Sequence, residues 1–104
     1  MKATDTVESP LAGLEPPRPG DFVKADILDL HNLSQTELAK RLGLSRRSVN
    51  QIVLGQRAVT LLVARRLGKL TGTSAKMWLN LQMQHDLWRA EKEADEFVVQ
   101  PLDS

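Results

Sequence analysis

The chain has no cysteine and no tyrosine, and its 104 residues carry only four aromatic side chains, Phe22, Trp78, Trp88 and Phe97. Without cysteine there can be no disulfide, zinc ribbon or thiol nucleophile, and a reducing compartment suits the chain. With so few aromatics, a core has to come from Leu, Val, Ile and Ala, which favours an all-α fold. No apolar run approaches the roughly 20 residues that span a bilayer, and the N-terminus lacks the basic-then-apolar order of a secretory signal. A cytoplasmic protein that does not enter the membrane is the expectation. The length allows one domain with a single core. No glycine-rich phosphate loop occurs, no Ser, His and Asp grouping has a supporting motif, and neither His31 nor His85 has a second His or Cys at metal-ligand spacing. Neither a metal, a cofactor nor an enzymatic activity is therefore expected.

What is present is an uneven distribution of charge. The net charge of +1 hides three blocks. Residues 1 to 30 hold three basic and six acidic groups, residues 31 to 70 eight and one, and residues 71 to 104 three and six, giving −3, +7 and −3. A basic middle third between acidic flanks points to a polyanionic partner.

Within that basic third, residues 34 to 55 read SQTELAKRLGLSRRSVNQIVLG. Ser34 can cap a helix by accepting from a free backbone N–H, and Glu37 three residues later completes a capping-box pattern. Leu38, Ala39 and Leu42 recur at helical spacing, and Gly43 supplies the permissive backbone of a helix C-terminus. Ser45 caps a second helix. Val49, Ile52 and Val53 share one face of it while Arg47, Asn50 and Gln51 point away, and Gly55 ends the run.

The rest of the chain is also helical in pattern. Residues 1 to 18 hold three of the five prolines and little periodic apolar content, so they read as a disordered arm in which Leu11 and Leu14 are the only anchors. A first helix is expected from Asp21 to Leu30, burying Phe22, Ala25, Ile27 and Leu28, with His31 and Asn32 as its exit. Thr60 caps a fourth helix that reaches Leu70 with Val63, Ala64 and Leu67 inward. Gly68 inside it costs up to about 1 kcal/mol against alanine and so marks a close approach of a neighbour. Ser74 caps the longest helix, Ala75 to Glu93, whose Trp78, Leu79, Leu81, Met83, Leu87 and Trp88 exceed what one stripe needs. Phe97, Val98 and Val99 could add a short strand or remain irregular. The expected domains are the arm 1–18, a body 19–96 and a tail 97–104.

The segment 34–55 resembles the helix-turn-helix of the phage-repressor-like family of DNA-binding proteins, through Gln35 at the start of the first helix, Ala39 at the crossing, Gly43 in the turn, and Val49 and Ile52 inside the second helix. Residues 72 to 88, GTSAKMWLNLQMQHDLW, further resemble the segment that follows this motif in HigA-type antitoxins. Arg18, Pro19, Gly20 and Asp21 resemble the His-Pro-Gly-Glu that opens them. The resemblance covers residues 18 to 90. It implies a five-helix bundle of lambda-repressor-like type with a long C-terminal helix. It implies two partners as well, operator DNA and a HigB-type toxin, a RelE-like ribonuclease whose operon the antitoxin represses. A repressor of the same fold with no toxin is the alternative. The chain departs from the family at Arg18 and Asp21, and again at Ala75 and Lys76, which replace a common Pro-Glu. Leu54, Leu61 and Leu62 also stand where polar residues are usual, and Leu62 is expected to contribute to a protein contact.

In this motif the second helix enters the major groove and its N-terminal part reaches base edges. Arg46, Arg47, Asn50 and Gln51 are accordingly the expected base contacts, since arginine can bridge O6 and N7 of guanine and Asn or Gln can bridge N6 and N7 of adenine. Gln35, Ser45, Ser48, Gln56 and Arg57 border this surface and are the expected phosphate contacts. One such helix buries too little for useful specificity, so a homodimer on an inverted repeat is expected, with half-sites about 10 base pairs apart.

Overall fold

A computed structural model describes residues 14–102. Among them are five helices and no strand. Helix α1 starts at Pro19–Phe22 and runs on without a break as a π-helix over Val23–Asp29. Helices α2 (Gln35–Leu42), α3 (Arg46–Val53), α4 (Leu61–Thr71) and α5 (Ala75–Lys92) follow.

The caps explain where these helices begin. The hydroxyls of Ser34, Ser45, Thr60 and Ser74 each accept from the backbone N–H three residues on, those of Glu37, Ser48, Val63 and Met77. Each satisfies a donor that the first helical turn leaves free. Glu37 does not show the reciprocal half of a capping box; its carboxylate turns toward Arg41, 3.8 Å away. The reciprocal pattern occurs at α1, where Arg18 N donates to Asp21 Oδ2 at 2.9 Å and Pro19 occupies the first helical position, which needs no N–H. Helices α2 and α4 both end on left-handed glycines, Gly43 at φ 67° and Gly72 at φ 73°.

The first helix departs from the sequence expectation. Val23, Ile27 and Leu28 face the core, Phe22 is half-buried and Ala25 is exposed. Ile27 and Leu28 lie four and five residues after Val23 and share its inward face, whereas Ala25, two residues from both Val23 and Ile27, lies away from it; the i→i+5 register of this stretch is seen in Leu30 N bonding to Ala25 O at 3.1 Å. The helix also begins earlier than Asp21, because Pro19 and Gly20 are buried against α3. A Cβ on Gly20 would land on the backbone oxygens of Ile52 and Val53, 2.7 Å from the latter.

One core joins all five helices: Val23, Ile27 and Leu28 from α1, Leu38, Ala39 and Leu42 from α2, Val49 and Ile52 from α3, Val63, Ala64 and Leu67 from α4, Trp78 from α5, and Val59 from the loop before α4. Leu38 and Ala64 retain no exposed surface. At Gly68 an added Cβ would sit 3.1 Å from Ala75 N and Thr73 O, so the close approach expected there is that of the turn into α5.

Polar bonds then fasten α5 to the rest. Gln82 Oε1 accepts from Val59 N at 2.9 Å, and Trp78 Nε1 donates to Thr73 Oγ1 at 2.9 Å. His85 is buried, with Nε2 lying 2.7 Å from Glu15 Oε2 and 3.1 Å from Arg18 Nε, while Arg18 and Glu15 pair at 2.9 Å. One ring nitrogen cannot both donate to the carboxylate and accept from the guanidinium, so the tautomer of His85 chooses between these bonds. The hydrogen bond with His85 holds Glu15 below the ordinary carboxylate pKa; partial burial opposes this, and the charge of Arg18 adds to it. Residues 14–18, read from sequence as part of the arm, are thus tied to α5 through Glu15 and Arg18. Residues 1–13, including Leu11, lie outside the described residues. Phe97, Val98 and Val99 are exposed and form no strand.

Candidate nucleic-acid interface

Helix α3 is held from behind and presents a polar front. Val49 and Ile52 are buried and Val53 packs partly against the core, whereas Arg46 and Arg47 are exposed and Asn50 and Gln51 are half-exposed. Successive turns bring Arg46 beside Asn50 and Arg47 beside Gln51, because residues four apart share a helix face. The four expected base readers therefore form one outward surface, carried by the packing of the inward valine and isoleucine.

The turn before α3 is fixed by two elements. Gly43 takes the left-handed backbone that reverses the chain after α2, and Arg66 of α4 reaches across to donate to Leu42 O at 2.9 Å and Gly43 O at 3.3 Å. These carbonyls end α2 without helical partners, so the guanidinium supplies what the helix cannot. A side chain on Gly43 would meet Arg66 Nη1 at 3.1 Å.

The expected phosphate residues lie at three places. At the N-terminus of α3, Ser45 Oγ accepts from Ser48 N at 3.0 Å and donates to Ser48 Oγ at 2.9 Å. Its hydroxyl is used within the cap, and of the two hydroxyls only Ser48 Oγ–H keeps a proton not used in that cap. Gln35 is half-buried at the N-terminus of α2; its Oε1 is buried with no hydrogen-bond partner among the described residues, so the amide nitrogen is the atom it can offer to an anion. Gln56 and Arg57 lie beyond the C-terminus of α3 and are exposed.

These last two residues fold back over the helix they follow. Gly55 is left-handed at φ 76°, and Gln56 N and Arg57 N both bond to Gln51 O, at 2.8 and 3.2 Å. Arg57 Nε also donates to Gln51 Oε1 at 2.9 Å. Arg18 lies beneath this turn, 3.1 Å from where a Cβ of Gly55 would stand. Sequence patterns did not show the link between Gln51 and Arg57, because a separation of six across a non-helical glycine follows no helix periodicity.

Leu54, Leu61 and Leu62, flanking the same loop, are exposed at 53, 60 and 50 %. On another face, a groove of about 690 Å³ is lined by apolar residues including Phe22, Ile27, Leu33, Met77, Trp78 and Leu81. No helix among the described residues is long and apolar enough to cross a membrane, and no cluster of three or more His, Asp or Glu there could hold a metal ion.

Comparison with known proteins agrees with this geometry. Residues 25–78 match the Helix-turn-helix family. The HTH-type transcriptional regulator YddM of Escherichia coli is 37% identical over 79 residues, which are 76% of this chain and 83% of that protein. A putative antidote protein of a plasmid maintenance system from Nostoc punctiforme superposes with TM-score 0.71 at 40% identity, over 76% of this chain and 86% of that one. The antitoxin HigA of Pseudomonas aeruginosa, solved with the higBA promoter, superposes with TM-score 0.69 at 33% identity, over 80% and 99%.

Proposed function

The chain belongs to the helix-turn-helix family of DNA-binding regulators, which takes in the HigA antitoxins, and from that premise we propose that it is an antitoxin that represses its own operon. It binds operator DNA through α3 and neutralises a HigB-type, RelE-like toxin made from the same operon. The observation that carries the DNA half is the two-sided character of α3, buried through Val49 and Ile52 and outwardly armed with Arg46, Arg47, Asn50 and Gln51. In this reading those four side chains contact bases in the major groove, while Gln35, Ser45, Ser48, Gln56 and Arg57 hold the flanking phosphates. Two copies bind an inverted repeat as a cytoplasmic homodimer. Residues 19–96 form the DNA-binding body, with 1–18 as an arm and 97–104 as a tail.

The toxin half draws its support from relatives named as antitoxin and antidote proteins. The likeness to YddM, named a transcriptional regulator, favours as a second reading a repressor without a toxin. Expressing the chain with its neighbouring genes and isolating what co-purifies separates the two. A tightly bound small ribonuclease whose activity is suppressed in the complex supports the antitoxin; a regulator that co-purifies with no protein leaves the repressor. Gel shifts with one and with two half-sites test the dimer, and equal affinity for both probes contradicts it.

A further inference from the structure

The segment after α5 is extended, apolar at its centre and without a partner of its own. Glu93, which follows the last helical residue, already has extended backbone at φ −91° and ψ 137°. From Ala94 to Leu102, the one backbone group with a hydrogen bond among the described residues is Phe97 N, which donates to Asp95 Oδ1 at 3.0 Å. Phe97, Val98 and Val99 are exposed at 74, 84 and 69 %, although aromatic and β-branched side chains are those that favour strands. An extended apolar run with unpaired N–H and C=O groups has the character of an unmatched sheet edge.

In a strand, successive residues send their side chains to opposite faces and their peptide groups to opposite edges. Phe97 and Val99 therefore share one face, while Val98 belongs to the other with Glu96 and Gln100. The two edges are not equivalent. On the edge of Phe97, Val99 and Pro101, the Phe97 N–H is held by Asp95 and the proline has none to give. On the edge of Glu96, Val98 and Gln100, no N–H or C=O is bonded among the described residues.

Charge then narrows the partner. Residues 93 to 104 hold four acidic groups and no basic one, so the segment repels nucleic acid. A second copy would bring the same acidic tail against it, and the basic third of that copy is given to operator DNA in the reading above. The surface that fits is a protein with an open sheet edge, apolar at the contact and basic around it. A ribonuclease binds a polyanion and is basic where the RNA lies. Resting on the antitoxin reading above, we propose that residues 93–102 dock on the toxin by strand addition. Val98 and Gln100 pair with an edge of its sheet, and Phe97 and Val99 fill apolar pockets beneath. Glu93, Asp95 and Glu96 lie on basic side chains that otherwise hold RNA phosphates. Toxin and operator are thus held by different residues of one chain.

The test titrates the purified full chain against the purified small ribonuclease encoded beside it, following both binding and cleavage of a short RNA. The Phe97→Asp, Val99→Asp double variant should bind about a hundredfold more weakly, the effect of losing two buried anchors, and should let cleavage proceed where the wild type silences it. Val98→Pro keeps both of those side chains and deletes one ladder donor, so it should bind about tenfold more weakly. Val98→Thr keeps the N–H and the strand preference and should bind as the wild type does. Neutralising Glu93→Gln, Asp95→Asn and Glu96→Gln together should weaken binding about tenfold at low salt and less at high salt. Because the altered side chains are exposed, each variant should melt with the wild type, and the double variant should keep its operator affinity.

Toxin affinity unchanged in the double variant overturns the assignment. So does Val98→Pro binding as tightly as Val98→Thr, since the contact would then be no strand. A double variant that alters the mass of the free protein in sedimentation while toxin affinity holds puts a second copy on the tail and overturns it as well. A wild-type chain that binds no neighbouring ribonuclease contradicts the antitoxin reading, and this assignment with it; the two failures are told apart because only the others leave wild-type binding intact.

Discussion

Helices α3 and α5 are both anchored by one inward face, yet their outer faces differ in kind. Outside, α3 carries arginine, asparagine and glutamine, while α5 mixes Met77, Met83 and Leu87 with Lys76, Arg89 and Lys92. The inner attachments differ too. Helix α3 is held by apolar packing and by the fit of Gly20 against its last carbonyls, whereas α5 adds hydrogen bonds to partners far away in sequence. A short helix fixed from behind by packing leaves most of its outer face for a ligand, Gln51 alone of the four outer side chains being bonded to the turn that follows. A long helix fixed by scattered polar bonds does not announce its role by its outer face.

The comparison breaks most severely at Trp78, the buried anchor of α5. Trp78→Ala should cost about 3–5 kcal/mol, enough to unfold much of a marginally stable domain, measured by urea denaturation. Gly20→Ala attacks the seat of α3 instead. Its methyl group meets backbone oxygens that cannot swing aside, and a loss of about 1–3 kcal/mol is expected on the same assay.

Arg47→Ala should leave the melting temperature unchanged and relax base preference at one operator position by roughly 1–3 kcal/mol, read from binding to a panel of single-base variants. Loss of folding in that variant would make Arg47 structural and remove the contrast between the two faces.

The smallest effect belongs to Glu15. A carboxyl whose pKa is lowered by folding stabilises the native state above its ordinary value, and that stabilisation is lost as the pH falls through the lowered value. Glu15→Gln should therefore melt below the wild type at neutral pH, with the two curves converging in acid. Curves separated equally at every pH would show that the ionised carboxylate contributes nothing.

Where structure depends on near neighbours, the sequence was sufficient. The capping hydroxyls of Ser34, Ser45, Thr60 and Ser74 act three residues away, and Gly43 needs only its own backbone freedom, so these boundaries could be read directly. The inward sets of α2, α3 and α4 follow from ordinary helical period. The π-register of α1 could not be read, because no local pattern separates it from the ordinary helical one, and Ala25 is exposed there while Val23 is buried. For His85 the sequence shows only that no metal-ligand partner is near; its hydrogen-bond partners, Glu15 and Arg18, lie about seventy residues earlier. At the candidate interface, the outward stripe of α3 was legible from period alone. The return of Arg57 onto Gln51 was not, since it needs the left-handed Gly55.

The central claim is that the outer face of α3 meets duplex DNA, and a salt titration of affinity for the operator, run beside the Arg46→Ala, Arg47→Ala double variant, tests it most directly. The logarithm of the wild-type association constant should fall linearly with the logarithm of salt concentration, with a slope of about −0.9 for each phosphate neutralised, and the double variant should bind far more weakly without losing its fold. An affinity independent of salt, or a double variant that binds as the wild type does, would contradict the account.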